Sequence, residues 1–235
     1  MDIVLVPGLW LDGPTWERVV PLLEKDGHRP RPLTLPGLES VDTDRSAIGL
    51  ADQVAAVVAA VDAAPPEEKV LLVGHSAGSG IAYGALDRRP DRVARAVYIG
   101  GWPTPDGEPV AGGFPTEGGD LAMPPFSEFD SADLLDMDDA DLAAFRARAI
   151  PSPARLATDL QQLTDERRYD VPATLVCPEF RASDIQQWIA GGEPSLVELT
   201  RIRDLTYVDL PTGHWPQLTK PEELARVLLE AAESG

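Results

Sequence analysis

The sequence predicts an α/β protein: a mostly parallel sheet flanked by helices, with a small helical cap. Three observations predict it. Short β-branched runs alternate with longer helical patterns, the apolar runs are continuous, and one Pro/Gly-rich stretch interrupts the rhythm. Alternation of strand and helix implies parallel pairing through right-handed crossovers. Continuous apolar runs belong to strands covered on both faces. A chain of 235 residues fits one such domain with a single buried core.

Ile3 to Val6 opens as a strand and Thr15 to Lys25 follows as a helix. Ala51 to Ala63 sets Val54, Val57, Val58 and Val61 on one helical stripe. Val70 to Val73 is a strand leading into a helix from Ala77 to Arg88, and Val93 to Ile99, Thr174 to Cys177 and Leu205 to Leu210 are further strands. The closing helix, Pro221 to Ala232, carries Leu224, Val227, Leu228 and Ala231 at i, i+3, i+4 and i+7. Thr219 and Glu222 stand before it at capping-box spacing. Between Trp102 and Asp170 the pattern breaks: Pro103 to Pro125 is rich in proline and glycine, and the acidic segment Phe129 to Ala149 has helical spacing at Leu134, Leu135, Leu142 and Phe145. Residues 102–170 are therefore expected to form a cap on a core of residues 1–101 and 171–235. It would lie over the carboxyl edge of the sheet, where ligands bind in such folds.

Twenty Lys and Arg against 39 Asp and Glu give a net charge of -19. That charge repels phosphate backbones and anionic bilayers, so neither nucleic acid nor membrane is an expected partner. We read the acidity as favouring solubility rather than attracting a cationic substrate. Cys177 is the only cysteine, which excludes an internal disulfide and a cysteine-built metal site. No basic stretch precedes Ile3, and no apolar run approaches the roughly 18 residues needed to span a bilayer, so the expected location is cytoplasmic.

The chemistry centres on Gly74-His75-Ser76-Ala77-Gly78, between a strand and a helix. A serine in this setting is held in a sharp turn that lifts its hydroxyl above the sheet, and the flanking glycines leave room for the turn. A serine hydroxyl needs a base, and three histidines are available. His28 belongs to a solvated turn, and His75 adjoins Ser76 and points elsewhere, which leaves His214 after the final strand. A carboxylate should orient that imidazole from the loop after Thr174 to Cys177. Glu179 is favoured, being nearest the strand end, with Asp184 as the alternative and Asp106 and Glu108 less favoured. Backbone amides of Leu9 and Ala77 are expected to stabilise an oxyanion. Trp10, Trp102, Met123 and Phe126 are candidate pocket walls.

These motifs resemble the α/β-hydrolase superfamily over nearly the whole chain, and most of all its small plant methyl-esterase and hydroxynitrile-lyase branch with bacterial relatives. The resemblance implies an α/β-hydrolase fold with an eight-stranded sheet and a helical cap. It also implies a triad of Ser76, one acid and His214, with oxyanion amides at Leu9 and Ala77. Two departures stand out. Pro7 replaces the histidine of a His-Gly pair, and Cys177-Pro178-Glu179-Phe180 replaces Cys-x-Glu-Asp, so Phe180 stands where the branch has its acid. Either Glu179 serves, or Asp184 reaches in, or the triad is reduced to a dyad.

The expected function is hydrolysis of an uncharged carboxylic ester or lactone, a small-molecule substrate, through an acyl-enzyme, with no cofactor and no metal. One alternative is a cofactor-free lyase, although the lyases of this branch carry lysine directly after the histidine where this chain has Trp215. The other is a receptor-like ligand-binding protein with a degenerate triad.

Overall fold

The computed structural model describes residues 1–234. Its strands are β1 (Asp2–Val6), β2 (Arg29–Pro32), β3 (Val70–His75), β4 (Val93–Ile99), β5 (Asp120–Leu121), β6 (Ser152–Pro153), β7 (Ala173–Cys177) and β8 (Leu205–Asp209). The α-helices are α1 (Val20–Lys25), α2 (Leu50–Asp62), α3 (Ala77–Arg88), α4 (Asp139–Arg148), α5 (Ala182–Ala190), α6 (Val197–Arg201), α7 (Pro216–Thr219) and α8 (Pro221–Glu233). Six strands form one parallel sheet in the order β2-β1-β3-β4-β7-β8, and β5 pairs with β6 antiparallel.

The central strands bury both faces because apolar side chains stand on both sides of the pleat. Ile3, Leu5, Leu71, Val73, Val97 and Ile99 join one core with Leu23 of α1 and Leu224 and Leu228 of α8. Val4, Val6, Val70 and Leu72 join the other with Val54 and Val57 of α2 and Ile81 of α3. Each fully buried Leu or Val contributes about 1.5–3 kcal/mol. No described helix is long and apolar enough to cross a membrane.

The main sheet has six strands where eight were expected. On the β2 side the reason lies in the sequence Arg-Pro-Arg-Pro. The amides of Arg29 and Leu33 donate to the carbonyls of Met1, just before β1, and Leu5, on β1, so the residues of opposite parity, Pro30 and Pro32, turn toward the open edge. Proline nitrogen has no hydrogen, and the ladder stops there. The same prolines hide β2 from a propensity reading.

Other expectations are corrected. Thr15 to Lys25 is a 3₁₀ turn, Gly13–Trp16, and then the short α1. Thr219 and Glu222 form no capping box: α8 starts after Lys220 with Pro221 in its first turn, and the Thr219 hydroxyl donates to the Trp215 carbonyl at 3.2 Å. In the acidic stretch only α4 is helical, because Asp136 takes φ 63° and breaks the run before it. Leu135 is exposed there while Phe145 is buried. β8 is also not buried throughout, having Thr206 and Asp209 exposed on an edge strand.

Candidate active site

Ser76 joins β3 to α3 with φ 54° and ψ -130°. A non-glycine residue in this region costs about 1–3 kcal/mol and persists only where its surroundings enforce it. The enforcement is visible. The Ser76 amide donates to the Ile99 carbonyl at 2.8 Å, its carbonyl accepts from Ser79 at 2.9 Å, and a Cβ at Gly78 would run into the Pro7 carbonyl. The turn leaves Ser76 on the wall of two cavities, one of about 950 Å³ and one of about 330 Å³.

His214 and Glu179 line the same two cavities. His214 lies in the loop after β8, and its Nδ1 meets Glu179 Oε1 at 2.6 Å. Nε2 is thereby the nitrogen left for a substrate-side proton. Burial works to lower the imidazole pKa, but the hydrogen bond and charge of Glu179, with a further pull from Asp133, carry it above the ordinary histidine value. The main chain of His214 is held from two sides. Its amide donates to the Asp133 carbonyl at 2.8 Å, and its carbonyl accepts from His75 Nε2 at 2.7 Å. Burial first, and then the neighbouring His214, depress His75 to about 3, so it is a neutral donor in this contact.

Asp184 does not reach the imidazole. Its Oδ2 accepts the Arg181 amide at 2.9 Å, where it serves the first turn of α5. Asp106 accepts the Leu163 amide at 2.8 Å, and Glu108 lies on the wall of the larger cavity. His28 lies just before β2 and lines neither cavity. Leu9 lines the smaller cavity and Ala77 the larger, each together with Ser76. Ala77 opens α3, where first-turn amides lack partners within the helix and the helix dipole favours negative charge.

Trp10 and Trp102 are walls of the smaller and larger cavities respectively. Met123 and Phe126 line neither. They pack instead against a separate apolar cluster of Leu11, Phe145 and Trp215, with the Arg146 guanidinium 4.6 Å over the Phe126 ring. The aromatic walls overlooked in the sequence are Phe114, Phe129 and Phe180. Phe180, first noted only as a lost acid, packs on Trp102 with ring centroids 5.9 Å apart. Donor atoms of Asp133, Glu179 and His214 lie within 4.8 Å of one another, the only grouping of metal-ligand types among the described residues, and a hydrogen bond already joins two of the three.

Residues 3–227 match the model of the family described as the Alpha/beta hydrolase family. Methylesterase 2 of Arabidopsis thaliana is 26% identical over 265 residues, covering 98% of this chain and 95% of that protein. Norfluorocurarine synthase 1 of Strychnos nux-vomica is 35% identical over 104 residues, 41% of this chain, and this match and others span only about a third of the relative's length, here 36%. Among solved structures, the methylesterase protein MES16 from Arabidopsis superposes with a TM-score of 0.75 at 20% identity, covering 99% of each chain. An extracellular alpha/beta-hydrolase from a Paenibacillus species does so with a TM-score of 0.77 at 22% identity, covering 98% of each. With the family match spanning nearly its whole length, the chain belongs to the alpha/beta hydrolase family.

Proposed function

We propose that this protein is a serine hydrolase that cleaves a carboxylic ester or lactone through an acyl-enzyme, with residues 102–170 as a cap on the core. Ser76 Oγ attacks the carbonyl carbon as His214 Nε2 takes its proton. The carbonyl oxygen, now an oxyanion, is met by the amides of Leu9 and Ala77. The tetrahedral intermediate collapses, the C–O bond breaks, and the alcohol leaves with the proton from His214. A water molecule, deprotonated by the same imidazole, then attacks the acyl group; the acid departs and Ser76 regains its proton. Glu179 keeps the Nδ1 proton in place and stabilises the imidazolium.

The observation that carries this reading is the 2.6 Å pairing of Glu179 with His214 on the wall shared with the strained Ser76. The methylesterase names among its relatives support ester chemistry. Trp215 follows His214, and no lysine lines either cavity, which favours hydrolysis over a lyase reaction dependent on an ammonium group.

A fluorophosphonate probe followed by mass spectrometry tests the mechanism. The adduct is expected on Ser76, with p-nitrophenyl acetate turnover abolished in Ser76→Ala. Active protein that takes no label at Ser76 would overturn it.

A further inference from the structure

Resting on the reading of Leu9 as an oxyanion donor to the Ser76 adduct, we infer that Ser152 is a positioning residue for the reaction: its hydroxyl, with the Leu121 carbonyl and the Ile150 amide, clamps Trp10 and so holds the Leu9 amide in place.

Trp10 has φ 64°, the left-handed region that a bulky side chain rarely adopts. Strain of this kind persists only where neighbouring groups enforce it. Every hydrogen-bonding group of Trp10 is taken, and each partner comes from the stretch Leu121 to Ser152. The amide donates to Ser152 Oγ at 2.9 Å, the indole Nε1 donates to the Leu121 carbonyl at 3.1 Å, and the Trp10 carbonyl accepts from the Ile150 amide at 3.0 Å. Trp10 and Ser152 are both buried, and an amide left there without an acceptor is costly.

The Leu9 amide is in the opposite condition. It donates to no described residue, and Leu9 shares the wall of the smaller cavity with Ser76. The Trp10 amide lies in one peptide plane with the Leu9 carbonyl, so fixing that amide fixes the chain on the far side of Leu9. On the near side Gly8 packs against the elbow, where a Cβ would come within 2.9 Å of Ser76 Cβ and His75 Nδ1. The donor is thus held from both directions. The clamp is itself fastened to the core: the buried Arg45 donates Nη1 to Asp120 Oδ1 at 2.7 Å and Nε to the Gly37 carbonyl at 3.0 Å, and Asp120 pairs with Pro153 between β5 and β6. The two-stranded sheet therefore bridges the core and the loop that carries Leu9. Oxyanion donors act by being aimed in advance at the place where charge develops, so a loop free to relax loses rate rather than affinity.

Ser152→Ala removes the acceptor and leaves the cavity walls in place, since Ser152 lines neither cavity. With p-nitrophenyl acetate, kcat is expected to fall about 10- to 100-fold, by more than KM rises. Phosphonylation of Ser76 by the fluorophosphonate should slow by a similar factor, and these rates decide where no ester is turned over. The acid limb of the kcat/KM profile should stay where wild type has it, because His214 and Glu179 are untouched, and hydrogen exchange at the Trp10 amide should speed up. If Ser152→Ala does not fold, Ser152→Cys, close in size and a poorer acceptor, carries the same expectations. Reaction rates or Trp10 exchange equal to wild type in the folded variant would overturn the inference, as would a displaced acid limb, which would put the effect on the histidine. If wild type takes the label at Ser76 and the variant reacts as fast, only the clamp fails; if wild type takes no label at Ser76, the nucleophile reading fails and the inference with it.

Discussion

Position 179 turns a local departure into a working contact. The resembled branch has its acid one residue later, where this chain has Phe180. The extra methylene of glutamate, on a loop tied to the histidine strand by the Thr212 amide donating to the Pro178 carbonyl at 3.3 Å, brings a carboxylate to Nδ1. Glu179→Gln is therefore expected to lower kcat by up to about 10⁴-fold, whereas Asp184→Asn, which touches only the start of α5, leaves kcat near wild type. Side-by-side kinetics on p-nitrophenyl acetate check both. The pH dependence has a definite sign. The proposed mechanism needs His214 neutral, so kcat/KM should fall as pH drops through its pKa, and Glu179, with Asp133, outweighs burial to hold that pKa above 6.5. The acid limb of the profile is thus expected above pH 6.5 in wild type and at lower pH in Glu179→Gln. A profile unmoved by the substitution would contradict the pairing. Ser76 and His214 could be picked from the sequence as candidates because the elbow is local and only three histidines compete. Asp133 could not, because its approach to His214 depends on how two segments about 80 residues apart dock.

That docking is a matter of elements. The loop preceding α7 presents the Gly213 and His214 amides to the carbonyls of Leu135 and Asp133, at 3.1 and 2.8 Å, so the acidic segment before α4 helps set where His214 stands. Glycine is required at 213 because a Cβ would collide with both of those carbonyl oxygens. Gly213→Ala is expected to cost about 1–3 kcal/mol of stability and to lower kcat more than it raises KM, since the base is displaced while the cavity walls remain. Hydrogen exchange should speed up at the amides of Gly213 and His214. Exchange and kcat unchanged from wild type would show that the contact does not position the histidine. Elements with a single strong period, α3, β4 and α8, were legible within a residue or two. Those whose form depends on a partner were not. β2 is a strand because β1 offers it a ladder, and the helical spacing at Leu134 and Leu135 yields to the bonds that its carbonyls make with the histidine loop.

At the scale of the molecule, a buried polar network ties together the ends of elements whose other ends carry the site. Arg168 lies between β6 and β7 with its Nη1 3.1 Å from Asp87 Oδ1 on α3 and its Nε 3.3 Å from Glu198 Oε2 on α6, while Tyr83 OH donates to Glu198 at 2.6 Å. All four side chains are buried. The sequence offers no sign of this, since its charged residues belong to three separate segments that only the fold assembles. α3 begins beside Ser76, so the network holds the far end of the helix that follows the proposed nucleophile. A buried pair need not be worth more than an apolar replacement of equal shape, but removing Arg168 takes the buried cation from both carboxylates, leaving Asp87 with the Thr164 and Asp165 amides and Glu198 with Tyr83, Tyr169 and a more distant Arg201. Arg168→Met is therefore expected to destabilise the chain by about 3–5 kcal/mol, read as a lower urea midpoint at pH 7. A midpoint that matches wild type would mean that packing around Tyr83 and Leu86, and not the charges, holds this end of α3.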